Sequence, residues 1–275
     1  MMKWPRYSQF PPLKAVAALC IAAFLAGCVG QQPVQYQEAS KAEIVAILKT
    51  AAASLPGYRA EATLDIKAPD LNRSESGWFA FQLPLSLRLE LESWGYEFLL
   101  VSDGLKAYMV TPEKNEGGKI IKVVYEGAID GDYAFRPVDI ISALGLMDVT
   151  SDDDVRIEKY ADHYELVFLG PRSEEGGIRK RVWLERVHWH IERVQTFAGD
   201  GSLFMEANLS RYEPVKSSGG EAVMVAHDIR IEWPQAKTTV RFRFKSIDDK
   251  VDPRMFIFDP LKYDSKNGYE WRKIP

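Results

Sequence analysis

The chain is poor in cysteine. Only Cys20 and Cys28 occur in 275 residues, so everything after residue 28 can form neither an intramolecular disulfide nor a cysteine-ligated zinc site. Stability there has to come from a buried core. Long apolar runs are missing too: none after the N-terminal segment approaches 18 residues, which excludes a helical membrane span in that part. The chain also lacks G-x-S-x-G, S-x-x-K, G-x-x-x-x-G-K-[ST] and H-E-x-x-H, and with them the commonest hydrolase and nucleotide templates. No catalytic group, cofactor or metal centre is read. His188 and His190 could share a strand face, but zinc would need a third ligand, so they read as turn residues beside Trp189. Asp152, Asp153 and Asp154 lack the spacing and central glycine of a calcium loop, and Asp130-Gly131-Asp132 reads as a turn. Basic charge is short as well, with 35 Lys and Arg against 39 Asp and Glu. That balance disfavours nucleic acid as a partner.

What is present begins at the N-terminus. Lys3, Arg6 and Lys14 precede the apolar run from Ala15 to Leu25, which has the length of a signal-peptide core rather than of a permanent span. Leu25-Ala26-Gly27-Cys28 closes it and resembles a bacterial lipobox. The resemblance implies residues 1–27 as a lipoprotein signal peptide and Cys28 as the lipidated first residue of the mature chain, anchored to a membrane by three acyl chains without crossing it. Cleavage removes three basic and no acidic residues, leaving 32 against 39 and a formal charge of −7. Position 29 is Val rather than the aspartate that often retains lipoproteins in the inner membrane, so the expected location is the periplasmic face of the outer membrane. Residues 28–37 are polar and read as a tether.

Beyond the tether, Ser40 and Glu43 form a capping box for a helix with Ile44, Ile47, Leu48, Ala51 and Leu55 at helical spacing, stopped by Pro56-Gly57. The period then changes to two. Leu85, Leu87, Leu89 and Leu91 alternate with polar residues, as do Ile229, Ile231 and Trp233, and again Val240, Phe242 and Phe244. Turn signals at Trp94-Gly95, Asp103-Gly104 and Asp200-Gly201 space further strands in a meander. A second helix is expected over Pro137 to Leu144, with Gly145 as its stop. The fold class is mostly β (α+β): about a dozen strands in a large curved antiparallel sheet forming an incomplete barrel, with helices covering the concave face. Pro112 to Gly118 reads as a loop.

The order of lipobox, amphipathic helix, "LPLSLRLELESWGYEFLLVSDGLKAYMVTPEKN", "RPVDIISALG", "VWLERVHWHIERVQTFAGDG" and "TTVRFRFKSIDDKVDPRMFIFDP" resembles the LolA/LolB-like lipoprotein-localisation superfamily over residues 38–260. Residues 261–275 form a C-terminal extension containing Tyr263, Tyr269 and Trp271. The resemblance implies an apolar cavity for lipid or lipoprotein acyl chains, no enzymatic activity, and a periplasmic lipoprotein carrier as a partner. Candidate cavity residues are Leu87, Leu89, Leu91, Phe98, Leu100, Met205, Ile229, Ile231, Phe242 and Phe244. Trp94 and Gly95 match a protruding apolar loop that inserts cargo into the bilayer. Two other roles fit the same features: an envelope-stress or lipid-sensing lipoprotein, and a structural interaction lipoprotein whose barrel interior is simply its core.

Overall fold

The computed structural model describes residues 35–273 except 70, 94–95, 116–117, 129–135, 148, 150–153, 171–176 and 218. From Tyr36 onward the chain forms one compact unit. Its first element is helix α1, Lys41–Ser54, and the capping box that starts it is complete: the Ser40 backbone N–H donates to Glu43 Oε2 at 2.7 Å, and Ser40 Oγ accepts from the Glu43 N–H at 3.3 Å. Ile44, Leu48 and Ala52 form its buried stripe, and Leu55 is buried just beyond it, while Ile47 and Ala51 lie at the margin.

The strands follow as β1 (Gly57–Ala68), β2 (Leu71–Gln82), β3 (Ser86–Ser93), β4 (Tyr96–Asp103), β5 (Lys106–Lys114) and β6 (Ile120–Ala128). Helix α2 (Pro137–Ala143) interrupts them. Then come β7 (Val155–Lys159), β8 (His163–Leu169), β9 (Ile178–Glu185), β10 (Ile191–Phe197), β11 (Leu203–Lys216), β12 (Ala222–Trp233), β13 (Thr238–Asp248) and β14 (Tyr269–Lys273). Among the described residues all fourteen strands join one sheet in the order β14-β6-β5-β4-β3-β2-β1-β13-β12-β11-β10-β9-β8-β7. The two end strands do not pair, so the sheet is an incomplete barrel. Its curvature follows from α2. Seven residues of helix span only about 10 Å, yet α2 touches both β3 and β10, which lie six inter-strand steps apart, or about 29 Å in a flat sheet.

Two expectations need correction. The sheet is not wholly antiparallel, because β14 pairs parallel with β6, with Trp271 opposite Val124. Pro112 is not in a loop either. Strand β5 continues through it, Pro112 lying opposite Lys122, and the strands are joined beyond it where the Asn115 N–H donates to the Lys119 carbonyl at 2.9 Å. Proline contributes no donor to a ladder, which is why it reads as a breaker from sequence.

Each face carries its own core. The inner face gathers Leu64, Phe79, Leu89, Leu166, Val194, Ile231 and Phe242 with the buried stripes of α1 and α2 in one cluster. Opposite it, the segment after β13 crosses the outer face and packs Phe258 and Tyr263 against Leu99, Val101, Val110 and Val124. Phe258 stacks on Tyr108 at 4.4 Å, and the Trp271 Nε1–H donates to the Tyr263 carbonyl at 2.7 Å. Residues beyond 260 thus strap the outer face and end as an edge strand.

Candidate functional site

Alternation along each strand decides which side chains can meet. On β3 it sends Leu87, Leu89 and Leu91 inward and Arg88 and Glu90 outward. On β4 Phe98 and Leu100 face inward, while Leu99 and Val101 belong to the outer core. All ten candidate cavity residues come together on the inner face: Leu87, Leu89, Leu91, Leu100, Met205, Ile229, Ile231, Phe242 and Phe244 are buried, and Phe98 is half-buried against them. The chain's own helices cover them. Ile44 and Leu48 descend from α1 and Leu55 from its C-cap, Ile140, Ile141 and Ala143 from α2, and Leu144, Leu146, Met147 and Val149 continue the cover. Two surface clefts, of about 530 Å³ beside Glu213, Lys216, His227 and Asp248 and about 180 Å³ beside Arg59, Trp78, Arg88 and Met255, are lined by none of the ten.

Five aromatic rings form the centre of this face: Tyr58 and Phe244 pack at 5.8 Å, Phe79 and Phe242 at 5.7 Å, and Phe81 lies within 4.6 Å of Tyr58. Tyr58 is fully buried and its hydroxyl has no hydrogen-bond partner among the described residues. Burial pushes its phenol above the usual tyrosine range. A donor stranded in an apolar interior costs roughly 1–3 kcal/mol. In the sequence Tyr58 is marked only as a strand residue facing inward.

At the start of α2, Asp139 is buried and paired with Arg136, Nε to Oδ2 at 2.6 Å. Desolvation raises its carboxyl above the ordinary value and the arginine opposes that shift. The Arg136 guanidinium also lies 3.9 Å over the Phe204 ring, fixing α2 against β11.

Tyr36 to Glu38 are clamped at the β9–β10 turn. Gln37 N–H donates to the Arg186 carbonyl at 2.8 Å, Gln37 Nε2 donates to the Val187 carbonyl at 2.7 Å, and Trp189 Nε1 donates to Gln37 Oε1 at 2.7 Å. The buried Arg186 reaches Glu38 at 2.8 Å and also donates to the carbonyls of Tyr160 and Ala161. Tracing the ladder from β9 to β3 puts the end of β3 at Ser93 on the opposite rim from this clamp. Cys28, Trp94 and Gly95 lie outside the described residues. His188 and His190 do converge, and with a third group, Glu185, that the sequence reading left out although the spacing Glu-x-x-His-x-His was visible.

A half-open antiparallel barrel with a helix-covered apolar face defines the class of architecture. No protein-family model matches the chain, and no curated protein matches it. Among solved structures it is similar to a LolA superfamily protein from Nitrosomonas europaea, at 10% identity over 79% of this chain and 98% of that one, with a TM-score of 0.52. It is also matched to a DUF1329 family protein from Desulfovibrio piger, at 16% identity, 78% and 95% coverage and TM-score 0.48. A putative outer membrane lipoprotein-sorting protein domain from Vibrio parahaemolyticus matches at 14% identity, 78% and 94% coverage and the same TM-score. The fold is LolA-like. Among the described residues no helix is long and apolar enough to cross a membrane.

Proposed function

We propose that this chain is an outer-membrane lipoprotein, anchored at Cys28 on the periplasmic face, that takes lipid or lipoprotein acyl chains into the inner face of its half-barrel and passes them on. The observation that carries this reading is an open-edged sheet whose apolar face is closed by α1, α2 and the segment after α2, with a Tyr58 hydroxyl that has no partner among the described residues. An acyl chain bearing an ester or amide carbonyl would satisfy that hydroxyl and replace the helix side chains.

Magnitudes favour an exchange. Exposing Ile44, Leu48 and Leu55 by moving α1 costs about 1.5–3 kcal/mol per side chain, roughly 4–9 kcal/mol together. A dozen buried methylenes return about 10 kcal/mol at ~0.8 kcal/mol each. The two nearly balance, which is what a carrier that must release its cargo requires. Transfer then needs no bond chemistry, only a modest difference in affinity between donor, receptor and bilayer.

The anchor supports delivery at a surface. About eight residues separate Cys28 from Tyr36, a reach of roughly 28 Å. By the resemblance, Trp94 is the residue that would meet that bilayer. Tryptophan suits that interface. Trp94→Glu is expected to leave folding and acyl uptake unchanged and to slow transfer to liposomes; equal transfer by the variant would remove Trp94 from the mechanism. The reading as a whole is tested by mass spectrometry of lipid retained on the Cys28→Ser protein purified without detergent. Retained acyl lipid supports it, and a lipid-free, fully folded protein that takes up none on incubation with vesicles contradicts it.

A further inference from the structure

Glu185 ends β9, His188 sits in the turn that follows, and His190 precedes β10; the ligating atoms of the three all lie within 4.8 Å of one another. The turn is built to hold them. Glu185 accepts backbone N–H bonds from Val187 at 2.7 Å, His188 at 2.5 Å and His190 at 3.3 Å, which fixes its carboxylate inside the turn with the side chain only 14% exposed. Trp189 takes a left-handed φ of 63°, a conformation uncommon for a bulky residue. That bend stacks the flanking rings of His188 and His190, centroids 5.4 Å apart. His190 stacks in turn on Tyr212 at 4.1 Å, and the Tyr212 hydroxyl donates to the Ile191 carbonyl.

One group in this cluster lacks a hydrogen-bond partner, and a second is hydrogen-bonded but has no cationic Lys or Arg beside it. His190 Nε2 is buried with no hydrogen-bond partner among the described residues. Glu185, mostly buried, has no lysine or arginine within ion-pair distance among the described residues, its one such neighbour being His188 at 3.5 Å. Buried polar atoms are normally partnered and buried charges compensated. A divalent cation would supply both at once, accepting a lone pair from each imidazole and neutralising the carboxylate.

We propose that Glu185, His188 and His190 bind one divalent transition-metal ion of the zinc type through two nitrogens and one oxygen, leaving a fourth position open to water or an incoming ligand. The same turn grips Gln37 through Trp189 Nε1, so the bound ion would stiffen the clamp that seats Tyr36 to Glu38.

The test is a zinc titration of the full chain, extracted in detergent and free of any polyhistidine tag, against a chromophoric chelator. One ion per chain is expected, with a raised thermal midpoint. The His188 side chain is 67% exposed, so His188→Ala should leave the circular dichroism spectrum and urea midpoint unchanged while weakening zinc affinity at least about tenfold and abolishing the thermal shift. His190→Ala should do the same. Should it misfold, His188→Ala decides alone. The proposal is overturned by absence of stoichiometric binding, or by binding that survives His188→Ala unchanged, which would put the ion on other groups such as His163 with Asp162 or His227 with Glu213.

Discussion

Tyr58 meets Phe81 edge to face, their ring centroids 4.6 Å apart at 85°. The contact seats an apolar ring well and strands its hydroxyl, which finds no partner among the described residues. Tyr58→Phe removes that cost while keeping the ring. The free protein is therefore expected to gain about 1 kcal/mol in urea unfolding, and binding of an acyl ester to weaken. A variant of unchanged stability would show that the hydroxyl is already satisfied in solution.

Leu48 lies on the buried stripe of α1 against the inner core. Truncation to alanine should cost roughly 2–5 kcal/mol as a core deletion. If α1 is the cover that acyl chains displace, Leu48→Ala should at the same time tighten acyl binding, because less burial is forfeited on opening. Titration of a fluorescent fatty acid into wild type and variant distinguishes this from plain destabilisation, in which affinity falls with stability.

Much of this arrangement was legible because it is local. The Ser40-Glu43 capping box and the alternation of Leu87, Leu89 and Leu91 are written in adjacent residues, and both appear where expected. Strand β14 was not, since Tyr269 to Lys273 acquire their meaning only by pairing with Lys122 to Glu126, far back in the chain. Strand β7 was missed for a similar reason: only Val155 of its five residues is buried, so its place as an edge strand depends on β8. The ten inner-face residues were legible as a set, and so were the two helices that cover them, whereas the further cover from Leu146, Met147 and Val149 came from three-dimensional packing. Glu185 escaped because its importance lies in a turn that folds it back onto His188 and His190.

Acidity should loosen the tether clamp. The hydrogen bond from Lys159, with the nearby charges of Lys159 and Arg186, holds the Glu38 carboxyl below its ordinary 4.5. A carboxylate with a depressed folded pKa contributes stability that is present above its unfolded value and lost as pH falls through the folded one. Protection of the Gln37 amide from hydrogen exchange, corrected for intrinsic rate, is thus expected to hold from pH 7 to about 4.5 and to fall below that. Glu38→Gln should show low protection throughout, and a pH-independent wild type would exclude this ion pair as the fastener.

The central claim is that the inner face opens to an acyl chain, and saturable binding tests it most directly. A fluorescent fatty acid titrated into the Cys28→Ser protein should bind at one per chain. Phe242, buried in the ring cluster, is the residue to compare: replacement by Leu, which keeps the fold and much of the volume, should change affinity severalfold, while Trp78→Ala, on the exposed outer side, should leave it alone. No saturable binding by the folded protein, or binding that responds to Trp78 and not to Phe242, would mean that the half-barrel interior is a closed core.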